Sequence, residues 1–536
     1  MSGKSSARGS RGRPIVCRTG TVFQIVGLCI AAGVLFAASG EFSPALALPS
    51  FARQTGQPCG TCHTDFPALT PYGRRFKLLG YTTGGGPYRT TPFPSFGANV
   101  DPLQDNSRLK TYVKGLDGTP SADPTAPAPE ASRPWVPPLA MMAVMGYTHS
   151  QTAQVAPCGA YPCNDQVAAS PVSLFYGGAI TDHIGAFAQF TYAGAPFGAQ
   201  TGSDPYTTFQ WGWDNTDIRY ANTFNIAGND VIFGITANNN PSVQDPWNTT
   251  PAWRFPYAAS TTAAGPTAST LIDAALGPGH VIGVGGYAFI NDFLYLELSG
   301  YRSVSFDAQK ALGVDPFGAG MIDGIAPYWR IAVEPHWGNH WLMLGAYGMQ
   351  ANIRQWDSTQ VDANGWQIPA YLPGSDRYTD TALDAQYQYR GDNYWFTLRG
   401  TWIHEFQQLD ATFANGGSSN PTNTLDTLRA EASIAYGNDN RIVFTTQYFN
   451  TKGSTDATLW ALTSQFDPNA TAQTDPNTDG FVFDLSYIPY ISSHSPVWPW
   501  ANARIGLQYT YYNRFDGDTT YAHDNNSLFV YLWFAM

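Results

Sequence analysis

The chain has 536 residues, of which 43% are hydrophobic, 14% aromatic and 13% charged, and its formal net charge is −12. Soluble globular proteins carry roughly 25% charged residues, so this is not the composition of an ordinary soluble enzyme, and the acidic balance argues against a nucleic-acid partner. Mean hydropathy is −0.22, and past the amino-terminal segment no apolar run approaches the roughly 18 residues of a spanning helix, which excludes a helical membrane bundle.

Residues 1–47 read as a cleaved export signal. Lys4, Arg8, Arg11, Arg13 and Arg18 precede an apolar stretch from Val22 to Ala38, and Ala45-Leu46-Ala47 offers small residues for cleavage. An uncleaved anchor helix is the competing reading, because the stretch is nearly long enough. Cys29 lacks the small-residue context of a lipidated cysteine.

Residues 48–81 carry Cys59-Gly60-Thr61-Cys62-His63, the attachment pattern of a c-type haem. Two thiols one short turn apart can form thioethers with the two vinyl groups, and the adjacent imidazole then lies against the iron. Cys59 and Cys62 are therefore the expected attachment residues for one covalently bound haem c, with His63 the proximal ligand to its iron. A zinc site would need two further ligands nearby, and none stands between residues 48 and 140. The same stretch has no methionine and no second histidine, so the distal ligand must come from elsewhere. Met141, Met142, Met145, Met343, Met349, the remaining histidines, water, a lysine or a tyrosine stay open. An axial methionine raises the potential, whereas an open iron binds small ligands or supports peroxidase chemistry.

Residues 82–138 form a Gly/Pro-rich linker, opening on Gly84-Gly85-Gly86-Pro87 and proline-dense from Pro120 to Pro138, which cannot enter a ladder or a helix. Cys158 and Cys163 follow at close spacing, and in an oxidising compartment they are expected to close a small disulfide loop.

Residues 139–536 change to short alternating segments. Leu383, Ala385, Tyr387 and Tyr389 alternate with Asp384, Gln386, Gln388 and Arg390, which puts apolar side chains on one face and polar ones on the other. Strands are predicted at 139–150, 171–180, 184–193, 216–226, 230–238, 281–290, 293–303, 326–336, 341–352, 380–390, 394–406, 425–436, 441–451, 479–490, 501–514 and 526–536. Their connectors alternate between long and short. The short ones, such as Thr181-Asp182-His183, Ala227-Gly228-Asn229, Asn291-Asp292 and Gly391-Asp392-Asn393, are turn formers. An even strand count with short turns at one end and long loops at the other is the pattern of an outer-membrane barrel. The predicted fold is therefore all-β: a transmembrane antiparallel barrel of about sixteen strands, preceded by a short haem-binding peptide that enters from the periplasmic side of a bacterial outer membrane. The alternating end Leu528-x-Val530-x-Leu532-x-Phe534-Ala535-Met536 resembles the signal read by the barrel-assembly machinery, departing from it in its final Met536.

Charge divides along the chain. Residues 48–92 hold Arg53, Arg74, Arg75, Lys77 and Arg89 against Asp65, while residues 93–536 hold 18 basic and 38 acidic side chains. A basic haem peptide seated in or against the mouth of an acidic barrel is expected, with a periplasmic haem domain outside the barrel as the alternative. Asp475 to Gly480 matches only half of a calcium loop, because Ser486 replaces the closing glutamate. His404-Glu405 lacks the second histidine of a zinc protease motif. His336 and His340 straddle a turn.

Phe51-Ala52-Arg53-Gln54-Thr55-Gly56, Cys59-x-x-Cys62-His63 and Phe66-Pro67-x-Leu69-Thr70-x-x-Gly73-Arg74-x-Phe76-Lys77-x-x-Gly80-Tyr81 together resemble the fused outer-membrane monohaem cytochrome-porins, whose best-known members are iron oxidases. The resemblance implies an electron conduit, an Fe(II):cytochrome c oxidoreductase in activity. Extracellular Fe²⁺ would reduce the haem and a periplasmic electron-transfer cytochrome would accept the electron, with lumen acids such as Glu334, Asp384, Glu431 and Asp484 guiding the cation. A porin-like solute channel with a haem plug or sensor, outward transfer to extracellular metal, and an open-haem peroxidase are the rival readings.

Overall fold

The computed structural model describes residues 48–82, 138–152, 164–192, 211–260, 262–363, 365, 367–460 and 474–536. The export signal, the linker apart from its two end residues, and both Cys158 and Cys163 lie outside the described residues.

Sixteen strands form one closed antiparallel barrel. They are β1 (Leu139–Ser150), β2 (Gln166–Ala179), β3 (Ile184–Tyr192), β4 (Trp211–Ile226), β5 (Asn229–Asn238), β6 (Val281–Ile290) and β7 (Leu294–Ser303). Next comes an interrupted β8 (Met321–Ile322, Ala326–Val333 and His336–Trp337), all three pieces of which pair with β9 (His340–Arg354). The rest are β10 (Asp376–Arg390), β11 (Tyr394–Gln408), β12 (Thr422–Tyr436), β13 (Arg441–Gly453), β14 (Thr478–Ile488), β15 (Asn502–Arg514) and β16 (Ser527–Ala535). The barrel closes where β16 pairs with β1, from Met142 opposite Ala535 to Ser150 opposite Ser527. Several strands begin earlier than predicted, β2 and β4 by five residues each. Pro171 reads as a strand start, but it falls at a register shift between β1 and β2, where the ladder needs no N–H, so β2 continues back to Gln166. The outer end of β4 also pairs, with Trp211, Gly212 and Trp213 opposite Tyr192, Thr191 and Phe190, while the polar Asp214 and Asn215 fall in a register shift between the two strands.

The two faces separate as period two requires. Along β11, Trp395, Thr397, Arg399, Thr401, Ile403, Glu405 and Gln407 are buried inside, while Leu398, Trp402 and Phe406 are exposed outside. Ile218, Val284, Leu298, Ile331, Leu344 and Leu383 continue the exposed apolar belt. Trp337, Tyr436, Tyr487 and Trp500 stand near its short-turn rim, and Trp211, Tyr509 and Tyr511 toward the long-loop rim. An apolar outer band between aromatic girdles is what a barrel surrounded by lipid presents. Among the described residues no helix is long and apolar enough to cross a membrane.

Two pieces of chain fill the lumen. Residues 48–82 form three short helices, α1 (Pro49–Thr55), α2 (Cys59–Cys62) and α3 (Pro71–Leu78). Gly56, at φ +67°, ends α1 by donating its N–H to Ala52 O, and the Thr70 hydroxyl caps α3 at the Gly73 N–H. The second piece is the long β5–β6 connector. It is expected as an external loop, yet it turns inward: Asn239 to Thr250 are buried, and Arg330 of β8 holds Asp245 at 3.1 Å together with Asp384 of β10 at 2.5 Å. Farther along, the Leu271 and Ile272 N–H groups donate to Glu405 and Asp380.

Opposite charges seat the first piece. Arg74 pairs with Glu334, and Arg75 with Asp230 and Asp292. The Tyr81 hydroxyl donates to Asp217 at 2.7 Å. From the wall, Arg441 donates to the carbonyls of His63 and Thr64 at 2.6 Å, and Arg504 to Phe66 O at 2.8 Å beside Asp65. Asp230, Asp292 and Arg441 lie at strand ends joined by short turns, and Arg504 lies near the start of β15 at the same end, so the segment sits inside the barrel there. The lumen acids do not form a free cation guide. Glu334, Asp384, Glu431 and Asp484 are each paired with a buried arginine, namely Arg74, Arg330, Arg399 and Arg504, because an unpaired buried carboxylate is costly.

Candidate functional site

The cysteine motif is one helical turn. Pro58 precedes α2, and His63 closes it by donating its backbone N–H to Cys59 O at 2.9 Å. Helix α3 locks against it: Thr70 N donates to Cys62 O at 2.9 Å and Thr70 Oγ1 to Thr61 O at 2.5 Å. Gly73 permits this approach, since a Cβ there would overlap the Cys62 carbonyl. His63 Nδ1 lies 3.3 Å from Pro67 O, a contact that orients the ring and leaves Nε2 as the nitrogen that could bind a metal. Burial lowers the His63 pKa to about 4, against the backbone contacts from Pro67 and Ala68, so the imidazole is neutral, the form that binds metal. Burial likewise pushes Cys59 up to about 11 and Cys62 up to about 12, which keeps both as thiols.

Cys62 and His63 open onto a largely apolar cavity of about 390 Å³, within the range of about 300–1,000 Å³ typical of ligand sites. Met142, Trp253, Tyr257 and Trp533 line it too. Cys59 is packed beside this space, in a buried cluster with Phe66, Trp341, Trp395 and Val443. Of the five methionines considered as distal ligands, Met142 alone lines the cavity. Met145 is 52% exposed on the outer face, Met343 packs with Leu78 and Leu79, and Met349 packs with Tyr301 and Tyr347. Thioether, imidazole, thiol and apolar wall around one cavity are a donor set that suits a covalently attached haem. The aromatic wall contributed by Trp253 and Tyr257 is missed by motif reading; its signal is the Pro- and aromatic-rich run Pro251 to Tyr257 within a long connector.

The other constellations resolve into structure. His340 Nδ1 contacts the Tyr387 hydroxyl at 2.7 Å, and its ring stacks on Trp337. Glu405 is buried in the lumen while His404 sits on the opposite face beside Asp426. Asp475 accepts the Asn477 N–H within its own turn. Among the described residues no group of three or more His, Cys, Asp or Glu is placed to hold a metal ion.

No protein-family model matches the sequence, and no curated protein matches it. Solved structures similar to the chain include a loop-deleted OmpT, an outer membrane protein of Vibrio cholerae, with TM-score 0.37 and 10% identity over 74% of this chain and 98% of that one. OprB of Pseudomonas putida gives TM-score 0.38 and 12% identity over 74% and 92%. The outer membrane channel DcaP of Acinetobacter baumannii gives 0.37 and 12% over 74% and 96%.

Proposed function

We propose that the protein is an outer-membrane electron conduit of the fused monohaem cytochrome-porin type, carrying one haem c and passing electrons from an extracellular donor, Fe²⁺, to a periplasmic cytochrome. The observation that carries this reading is a Cys59-x-x-Cys62-His63 turn on the wall of an apolar cavity inside a closed barrel. In it, Cys59 and Cys62 would hold the haem through thioethers, His63, oriented by Pro67, would bind its iron, and Met142, on the wall of the same cavity, would supply the second ligand. Bound there, the haem supplies a one-electron ferric/ferrous couple.

The chain supplies position, potential and insulation. Short turns face the periplasm in such barrels, so a cavity at that end stands within reach of a periplasmic acceptor. The filled lumen keeps solutes and an insoluble ferric product from crossing while the electron passes. The test is anaerobic addition of Fe²⁺ to the oxidised, purified protein, followed at the reduced α band over acid and neutral pH. Reduction at a stoichiometry of one per chain is expected. A protein that carries haem but is not reduced under any of these conditions sinks the iron assignment, and one purified from a haem-attaching host without covalent haem sinks the cytochrome.

A further inference from the structure

The cavity lies at the short-turn end of the barrel. Its wall residues Met142, Arg504 and Trp533 are each within a few positions of the strand ends there. A donor at the long-loop end must therefore deliver its electron across most of an apolar band about 25 Å tall, and tunnelling falls steeply with distance unless packed, polarisable groups bridge it. We propose that Tyr257, Phe255, Tyr512 and Phe515 are that bridge, an aromatic path from the outer rim to the haem cavity. The path rests on the conduit reading above.

Tyr257 lines the cavity. Its hydroxyl accepts from Arg399 at 2.8 Å, and its ring meets Phe255 edge-on with centroids 5.5 Å apart. Phe255 is 1% exposed and packs in one buried cluster with Phe449, Tyr512 and Phe515. The Tyr512 ring meets Phe449 at 5.6 Å and Phe515 at 5.0 Å, both edge-on, and its hydroxyl donates to Ala264 O at 2.9 Å. Phe515 directly follows β15 at the base of the last long loop, where its backbone bridges to Asp518. The rings thus run from the outer end of β15, through the inward-folded connector, to the cavity. The tyrosines of β6 and β7 belong to other clusters: Tyr287 and Tyr295 pack with Leu78 and Leu79, and Tyr301 with Tyr328 and Tyr347. In each turnover the donor loses one electron and the ferric haem gains it. No bond forms or breaks, and no ring is itself oxidised.

The experiment uses holoprotein in sealed liposomes with the long-loop end outward and hexaammineruthenium(II) as an outer-sphere donor, with the α band followed by stopped flow. Phe255→Leu and Tyr512→Leu are each expected to slow reduction from outside at least tenfold. Tyr512→Phe, which keeps the ring, is expected to stay within twofold of wild type. Haem spectra, midpoint potentials and reduction by the same reagent trapped inside should not change. Leucine variants with intact spectra and wild-type outside rates would overturn the path while leaving the conduit standing. A wild-type haem reduced from inside but not from outside would overturn both. Phe255 lies in a connector rather than the ladder, so its variant does not depend on strand pairing, and Phe255→Tyr serves as its ring-preserving control.

Discussion

Met142 shows what one residue's position decides. It lines the same cavity as His63, whereas Met343 and Met349 are packed in separate clusters. Methionine ligation raises a haem potential, so Met142→Leu is expected to lower the midpoint potential and alter the ligation spectrum, while Met343→Leu and Met349→Leu leave both unchanged; a redox titration of the three variants checks this. Gly73 sets a second test. Because a side chain there collides with the Cys62 carbonyl, Gly73→Ala should force α2 and α3 apart and reduce covalent haem per chain, measured by haem stain against barrel that still shows heat-modifiable mobility. The proposed attachment residues stand out in the sequence because Cys-x-x-Cys-His is a local pattern. Met142 is not, since β1 is apolar at both parities over Leu139 to Met145 and alternation cannot say which methionines face inward. The same limit applies to Glu334 and Asp384, whose arginine partners come from a distant segment or from a strand two places away in the barrel.

At the scale of elements, strands and short turns are legible because period two and positive-φ turn residues such as Gly228, Asn291 and Asp292 are local signals. The inward turn of the β5–β6 connector is not, because its polar residues look solvated until Arg330 and Arg219 are known to meet them. Arg330→Gln leaves Asp245 and Asp384 together without their cation. Breaking a buried pair in this way costs about 3–5 kcal/mol, so the connector should become sensitive to externally added protease in the variant and not in wild type. Lys77 gives a pH test of the junction between α3 and this connector. Its Nζ donates to Val243 O and Asp245 O at 2.7 and 2.8 Å. Burial, reinforced by Arg219 and opposed by Asp217, Asp245 and Glu297, lowers it from 10.5 to about 7. Between those values the unseated state binds more protons than the seated one, so seating tightens as pH rises from about 7 and the gain is absent below it. Thermal release of the plug, read by protease access at pH 7 and pH 9, should show higher resistance at pH 9 in wild type and no such difference in Lys77→Met.

For the whole molecule, the packing of the lumen decides whether ions cross. A sixteen-stranded barrel with an empty lumen is an aqueous channel. Here the lumen-facing side chains are buried under residues 48–82 and the β5–β6 connector. The charges that hold these pieces are buried pairs, which salt screens far less than exposed ones, so the block should persist at the high ionic strength of a bilayer recording. Intact protein is therefore expected to be nearly silent in planar bilayers, and a variant lacking residues 48–82 to show discrete openings. The barrel should survive that deletion, because Arg441, Arg504, Glu334 and Asp292 would become hydrated and its ladder is closed by β1 and β16 without the plug. Intact protein with full porin conductance would mean that the lumen is open in the membrane, and a solute channel would then be the better reading. Silence in both forms would place the block in the inward connector alone, and deleting that connector together with residues 48–82 should then restore conductance.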